Sequence, residues 1–206
     1  MRIDLRNPDV GTLRDAAQTV RRGGIALYPT DTIYGLGCDA YQTESLRRLL
    51  LLKGRSQEKG MLVLIRSLPQ LEELARSVPQ EAGPLLRRFW PGPLTVLLEA
   101  HPRIPTELQG EGGKVGIRWP SSSFLQTWLD LLQVPLVSTS ANRSGQEYDG
   151  SPAVLRRLFG AGVDLFIDGG TLLPSRPSTV LDLTTRPFRI VRPGEKGSEI
   201  ARCLSE

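Results

Sequence analysis

The fold is decided by residues 24 to 37, which read Gly24-Ile25-Ala26-Leu27-Tyr28-Pro29-Thr30-Asp31-Thr32-Ile33-Tyr34-Gly35-Leu36-Gly37. The apolar start is typical of a buried strand, and Pro29 keeps Tyr28 extended, so the chain leaves this strand without entering a helix at once. Gly35 and Gly37 permit positive φ or a close backbone approach. The bend can therefore direct amide groups and the Thr30 hydroxyl at one ligand. A solvated loop is the alternative.

Apolar residues on either side of this bend show helical spacing and strand-like runs in turn. Helices are predicted at 13–20, 43–53, 71–75, 81–89, 124–132, 154–159 and 195–204, with Thr43 and Ser151 as N-caps. Strands are predicted at 24–27, 61–65, 94–98, 114–119, 136–140, 165–167, 179–183 and 188–191. The last strands follow each other too closely for parallel crossovers. We therefore predict one α/β domain, residues 1–206, with a mixed parallel and antiparallel sheet flanked by helices.

Composition narrows the classes of function. The chain has 206 residues, 39% of them hydrophobic, which is enough for a sizeable core. Its net charge of +4 suits anionic ligands such as nucleotides or RNA. The chain has only two cysteines and one histidine. These are too few to favour a disulfide framework, a zinc site or His-based catalysis, and we predict no metal-ligating residues. The start lacks a signal-peptide pattern and no apolar run could span a bilayer, so a cytoplasmic protein without membrane contact is expected.

Polar side chains cluster at three further places. Lys53 and Arg55 flank Gly54 at the end of a predicted helix, where they form a phosphate clamp or simply complement the helix dipole. Ser138 and Ser140 lie on one face of a predicted strand that runs into a hydroxyl-rich loop. This loop is either part of a ligand site or only a turn. Arg118 lies within a strand, and on an inward face its guanidinium needs an anionic partner.

The ordered set of motifs resembles one family. Seven segments carry the likeness, namely 28–37, Lys53-Gly54-Arg55, Phe89-Trp90-Pro91-Gly92-Pro93-Leu94-Thr95, Val115-Gly116-Ile117-Arg118, residues 138–145, Ser178-Thr179-Val180 and Arg192-Pro193-Gly194. Together they are similar to the YrdC-like threonylcarbamoyl-AMP synthases, in the short form that lacks an extra C-terminal domain. The resemblance implies a twisted mixed α/β sheet with a large basic cavity.

The resemblance also implies a reaction. L-Threonine, bicarbonate and ATP would be joined by a nucleotidyltransferase into threonylcarbamoyl-AMP with release of pyrophosphate, and Mg²⁺ is expected on the phosphates. The product would serve the threonylcarbamoyladenosine modification of tRNA, with downstream transfer proteins as partners. An RNA-binding protein of the same fold, which binds tRNA or double-stranded RNA without synthase activity, is the alternative.

Site residues follow from the resemblance position by position. Threonine would be held by Thr30, Arg118, Ser138 and Ser178. ATP would be bound by Lys53, Arg55, Lys59, Ser140, Asn142, Ser151 and Arg192, and Lys53, Arg55, Ser140 and Asn142 would also support catalysis. Two positions depart from many relatives: Leu64 replaces a histidine near threonine, and Lys114 replaces a threonine near ATP. The insertion 146–150 lengthens the loop before Ser151.

Overall fold

The computed structural model describes residues 1–54, 60–143, 146, 148–172 and 176–205. Seven α-helices are found in this part of the chain: α1 Val10–Arg21, α2 Thr43–Lys53, α3 Leu68–Leu74, α4 Gly83–Phe89, α5 Ser123–Leu132, α6 Pro152–Phe159 and α7 Gly197–Ser205. The nine described strands are β1 Ala26–Tyr28, β2 Gly35–Gly37, β3 Leu62–Leu64, β4 Leu94–Glu99, β5 Lys114–Arg118, β6 Leu136–Ser140, β7 Leu165–Phe166, β8 Thr179–Asp182 and β9 Arg189–Arg192. None of these helices combines the length and the hydrophobicity that a membrane span requires.

All nine strands form one sheet in the order β7-β1-β2-β6-β3-β5-β4-β8-β9. The pairs β1–β7, β3–β5 and β4–β8 are parallel, and the remaining neighbours are antiparallel. The predicted mixed sheet is therefore confirmed. The antiparallel pairing of β8 with β9 agrees with the short connection between them, which is too short for a parallel crossover.

Two predictions about local structure were wrong. Residues 35–37 form strand β2 instead of a loop, paired with β1 on one side and β6 on the other. Of the two roles predicted for the glycines, close approach holds at Gly37, because a Cβ there would overlap the carbonyl oxygen of Val137. The N-cap of α2 is Gln42, and Thr43 is the first helical residue. Ser151 and Pro152 do occupy the N-cap and the first position of α6.

Helices cover both faces of the sheet. Helices α1 and α5 pack on one face, where Leu13, Phe124 and Trp128 meet Leu64 of β3 and Leu136 of β6 in a buried cluster. The larger cluster on the other face joins α2, α4 and α6 to apolar residues of the strands. Strand residues therefore alternate between two environments. On β5 the side chains of Val115 and Ile117 enter the larger core, whereas residues 114, 116 and 118 face the opposite side.

Candidate functional site

A cavity of about 890 Å³ opens on the part of the sheet that α1 and α5 leave uncovered. Residues of β3, β4, β5, β6 and β8 form its floor, and those of β4, β5 and β8 occupy alternate positions along their strands. Of the nine predicted site residues that the structure describes, seven line it: Thr30, Arg118, Ser138, Ser140, Asn142, Ser178 and Arg192. The sheet thus brings together side chains that are up to 162 positions apart, from Thr30 to Arg192.

The bend after β1 forms one wall, and Thr30 determines its shape. The Thr30 Oγ1 accepts from the backbone N–H of Thr32 at 3.0 Å and of Ile33 at 3.2 Å. It also donates to the Ile33 carbonyl at 2.7 Å. A hydroxyl has one proton to donate, and here that proton is used within the bend. Thr30 therefore lines the predicted threonine site and at the same time holds the bend that forms it.

Arg118 is buried at the end of β5, with 3% of its surface exposed. Its Nη2 lies 2.6 Å from Asp31 Oδ1, its Nη1 donates to Thr32 Oγ1 at 3.2 Å, and its Nε donates to the Gly92 carbonyl at 3.0 Å. Burial lowers the pKa of Arg118 from its usual value, and the neighbouring Asp31 carboxylate opposes that effect. The inward guanidinium thus has the anionic partner that its position in the strand requires.

Asp31 is itself fixed from the far side. Its Oδ2 accepts from the backbone N–H of Ser121 at 3.1 Å and from the Ser121 hydroxyl at 2.8 Å. Because a guanidinium carries five N–H groups and the three bonds above use three of them, Arg118 has donor capacity left for a ligand at the cavity.

Lys53 holds the loop after β6 from the side that faces away from the cavity. This side chain is 3% exposed and does not line the cavity. Its ammonium donates to the carbonyl of Ser140 at 2.5 Å, to the carbonyl of Asn142 and to Asn142 Oδ1 at 3.1 Å. Ser140 Oγ donates to the same Asn142 Oδ1 at 2.6 Å. Lys53 therefore joins the end of α2 to two residues that face the cavity.

Gly54 follows Lys53 in the left-handed conformation, with φ 58° and ψ 41°. Glycine adopts this conformation without steric penalty, so it ends α2 as the sequence predicts. Arg55 and Lys59, the other two predicted cations of this segment, lie outside the described residues.

The opposite wall joins residues of β4, β8 and β9. Arg192 donates to the Ser178 carbonyl at 2.9 Å and reaches Ser178 Oγ at 3.3 Å. Ser178 Oγ in turn lies 2.8 Å from Thr95 Oγ1, and both serine and threonine are buried. The predicted ATP ligand Arg192 and the predicted threonine ligand Ser178 are therefore in direct contact. Their contact would connect the two subsites.

Thr95, Asp182 and Tyr148 also line the cavity, and none of them was predicted as a site residue from the sequence. Thr95 ends one of the quoted motifs, and alternation from Ser178 along β8 would have placed Asp182 on the same face. Tyr148 belongs to the insertion 146–150, and its hydroxyl accepts from the Tyr34 N–H at 2.7 Å. Burial raises the pKa of Tyr148, so its phenol stays protonated at neutral pH.

The two departures from the family pattern lie in different surroundings. Lys114 lines the cavity and pairs with Asp182 at 2.8 Å. Burial by itself would raise the pKa of Asp182, but hydrogen bonds from Lys114 and Thr184 lower it overall. Leu64 is 1% exposed in the core beneath α1 and α5 and does not line the cavity. Ser151 also lies outside the set of lining residues.

The described lining residues carry both signs of charge. Lys114, Arg118 and Arg192 are cationic, and Glu111 and Asp182 are acidic. Within the described ranges there is no group of three or more His, Cys, Asp or Glu side chains that could hold a metal ion. Fixed cations, hydroxyls and amides are the groups that this arrangement presents to an anionic ligand.

Comparison with known proteins places these features in a family. The family model Sua5/YciO/YrdC, described as "Telomere recombination", matches residues 18–194. A threonylcarbamoyl-AMP synthase of Pyrococcus abyssi is 36% identical over 182 residues, which cover 88% of this chain and 54% of that protein. A threonylcarbamoyl-AMP synthase of Thiobacillus denitrificans is 40% identical over 166 residues, 81% of this chain and 88% of that one.

A solved structure agrees with the fold. The crystal structure of P. abyssi Sua5 complexed with L-threonine superposes with a TM-score of 0.88 at 34% identity, covering 94% of this chain and 57% of that chain. The chain therefore spans little more than half the length of its P. abyssi relative and most of the length of its T. denitrificans relative. The matched residues, the sheet and the cavity motifs together show that the chain belongs to the Sua5/YciO/YrdC family.

Proposed function

We propose that the protein is a threonylcarbamoyl-AMP synthase, a nucleotidyltransferase that uses L-threonine, bicarbonate and ATP. One observation carries the proposal: Arg118 and Ser138 share a single cavity with Ser140, Asn142 and Arg192. A guanidinium that can bind a carboxylate and a set of groups that can bind phosphate thus face the same space, as a reaction between an amino acid and a nucleotide requires. The synthase names of the relatives support the same reaction.

The chemistry has two balanced steps. The threonine amine and bicarbonate give a carbamate with loss of water. A carbamate oxygen then attacks the α-phosphorus of ATP, forming the new P–O bond as the bond to pyrophosphate breaks. The attacking group is already an anion, so the protein's contribution is to position it and to stabilise charge on the phosphates. One histidine in the sequence is compatible with such catalysis.

The residues divide between the two substrates. Arg118 would bind the threonine carboxylate through its remaining N–H groups, with Thr30, Ser138 and Ser178 around the rest of the amino acid. Ser140, Asn142 and Arg192 would contact ATP, and Lys53 would hold the first two of these in place. The assignments of Arg55, Lys59 and Ser151 to ATP remain predictions from the sequence.

Magnesium would enter as part of the ATP substrate, bound to its phosphate oxygens, where it supplies charge neutralisation. The product, an activated threonylcarbamoyl group, suits transfer to an amine acceptor. We propose that downstream proteins transfer it to tRNA.

Pyrophosphate release from ATP by the purified protein tests the function. The expected result is release that requires both L-threonine and bicarbonate and is lost in the double variant Lys53→Ala, Arg55→Ala. The control is Lys196→Ala with Arg202→Ala, which removes the same charge from the α7 region and should leave the rate unchanged. Release without threonine, or release that survives the first double variant, refutes the proposal. Salt-sensitive RNA binding that ignores threonine would instead identify an RNA-binding protein.

A further inference from the structure

We propose that Asp31 is a specificity-determining residue that makes the Arg118 end of the cavity select a carboxylate monoanion over a phosphate. The inference deepens the proposed function and rests on it, because it takes Arg118 as the amino-acid subsite. Asp31 is not among the residues that line the cavity. It acts through Arg118 and not through contact with substrate.

Arg118 alone would not discriminate between a carboxylate and a phosphate. A guanidinium binds carboxylates and phosphates with the same paired N–H geometry. The cavity of about 890 Å³ would hold both an amino acid and a triphosphate. A phosphate could therefore bind where the amino-acid carboxylate belongs. Hydrogen-bond geometry at Arg118 does not separate the two, so the difference must come from charge.

Asp31 supplies that difference. Its carboxylate lies 2.6 Å from Arg118 Nη2; the Arg118 side chain is buried, with 4% exposed, and the Asp31 side chain is partly buried, with 13% exposed. The pair has no net charge, so an incoming anion meets the N–H dipoles of the guanidinium without a full uncompensated positive charge. The repulsion from Asp31 scales with ligand charge and is roughly twice as large for a phosphate dianion as for a carboxylate.

Asp31 also stays in place when a ligand arrives. Its second oxygen accepts both the N–H and the hydroxyl of Ser121, at 3.1 Å and 2.8 Å. Thr32 and Gly92 hold the other nitrogens of Arg118. A ligand therefore binds to the neutral pair as it stands and does not replace one partner of it.

The experiment compares phosphate with L-threonine on the full chain. Calorimetry measures the Kd of L-threonine with and without a large excess of inorganic phosphate, for the wild type and for Asp31→Asn. The matched control is Asp164→Asn, which makes the same change in net charge at the Arg48–Asp164 surface pair. Asp31→Glu restores the negative charge with a longer side chain.

Phosphate should leave the threonine Kd of the wild type, of Asp164→Asn and of Asp31→Glu unchanged. In Asp31→Asn it should compete with threonine and raise the apparent Kd at least about tenfold. Competition in the wild type or in Asp31→Glu overturns the proposal, and so does an Asp31→Asn protein that behaves like Asp164→Asn. Should Asp31→Asn fail to fold, Asp31→Ser, which removes the same charge with a smaller side chain, replaces it in the comparison.

A separate result bears on the proposed function. A folded wild type that binds no threonine refutes the assignment of Arg118 to the amino acid. Direct titration of phosphate into the wild type and Asp31→Asn would still show whether Asp31 excludes the dianion.

Discussion

Replacing Lys53 with methionine tests how the loop after β6 is built. Lys53 is 3% exposed, and its ammonium hydrogen bonds include the carbonyls of Ser140 and Asn142 and the Asn142 side chain. Methionine fills nearly the same volume but cannot donate. Hydrogen bonds from a charged group contribute about 1.5–3 kcal/mol each.

Two effects make the expected loss of stability smaller than the summed contributions of these hydrogen bonds. The loss of a buried charge recovers part of its desolvation cost, and water in the cavity can reach the oxygens of Ser140 and Asn142, which line it. We therefore expect Lys53→Met to lower the free energy of unfolding by about 2–4 kcal/mol. For a chain of this length, that corresponds to a fall in Tm of roughly 4–16 °C.

Thermal and urea unfolding measure the loss. The control is Lys196→Met on the exposed pair with Glu199, where the expected change is below about 0.5 kcal/mol. A Lys53→Met protein that melts within about 2 °C of the wild type refutes the role of Lys53 as the support of this loop. If stability falls as expected while the KM for ATP stays the same, the loop does not bind the nucleotide.

Three further outcomes follow from the site. Arg118→Lys should raise the KM for threonine by about tenfold or more, because an ammonium cannot reproduce the forked contact, and steady-state kinetics with each substrate varied should leave the KM for ATP nearly unchanged. The carboxyl group of Asp182 has a lowered pKa, so it contributes stability above the unfolded value of 3.8 that is lost as the pH falls through the folded value. Asp182→Asn should therefore unfold at lower urea concentration at pH 7 and show a flatter loss of stability in acid; an unchanged acid profile counts against the Lys114 pair. Gly37→Ala should yield little folded protein, because the added Cβ overlaps the Val137 carbonyl oxygen, and circular dichroism of the purified variant checks this. A stable Gly37→Ala protein would mean that β2 and β6 can separate.

Much of the secondary structure could be predicted because its signals are local. Pro135 and the polar loop after Ser140 predicted the bounds of β6 as the structure has them, and Ser151-Pro152 marked the start of α6. Strand β2 was missed because its sequence, Gly35-Leu36-Gly37, has little side-chain preference for a strand. The strand forms because its backbone pairs with β1 on one side and β6 on the other, so it depends on the rest of the sheet and not on its own side chains.

The candidate site divides in the same way. Ser138, Ser140 and Arg118 could be identified as candidates from the sequence, because alternation along a strand places Ser138 and Ser140 on one face and because an arginine within an apolar strand needs an anionic partner if it points inward. The partners could not. Strand order brings these partners together. It places Asp31 beside Arg118, Lys53 beside the loop after β6, and Thr95 beside Ser178.

The sequence by itself therefore determined most of the helices and strands, the family motifs and the residue types that a carboxylate and a phosphate need. Only the tertiary structure decided which of these groups share one cavity and which are already paired inside it. The physical reason is the range of the interactions. Helix and strand periodicity acts over a few residues, whereas the ion pair of Asp31 with Arg118 joins positions 87 apart through the arrangement of the whole sheet.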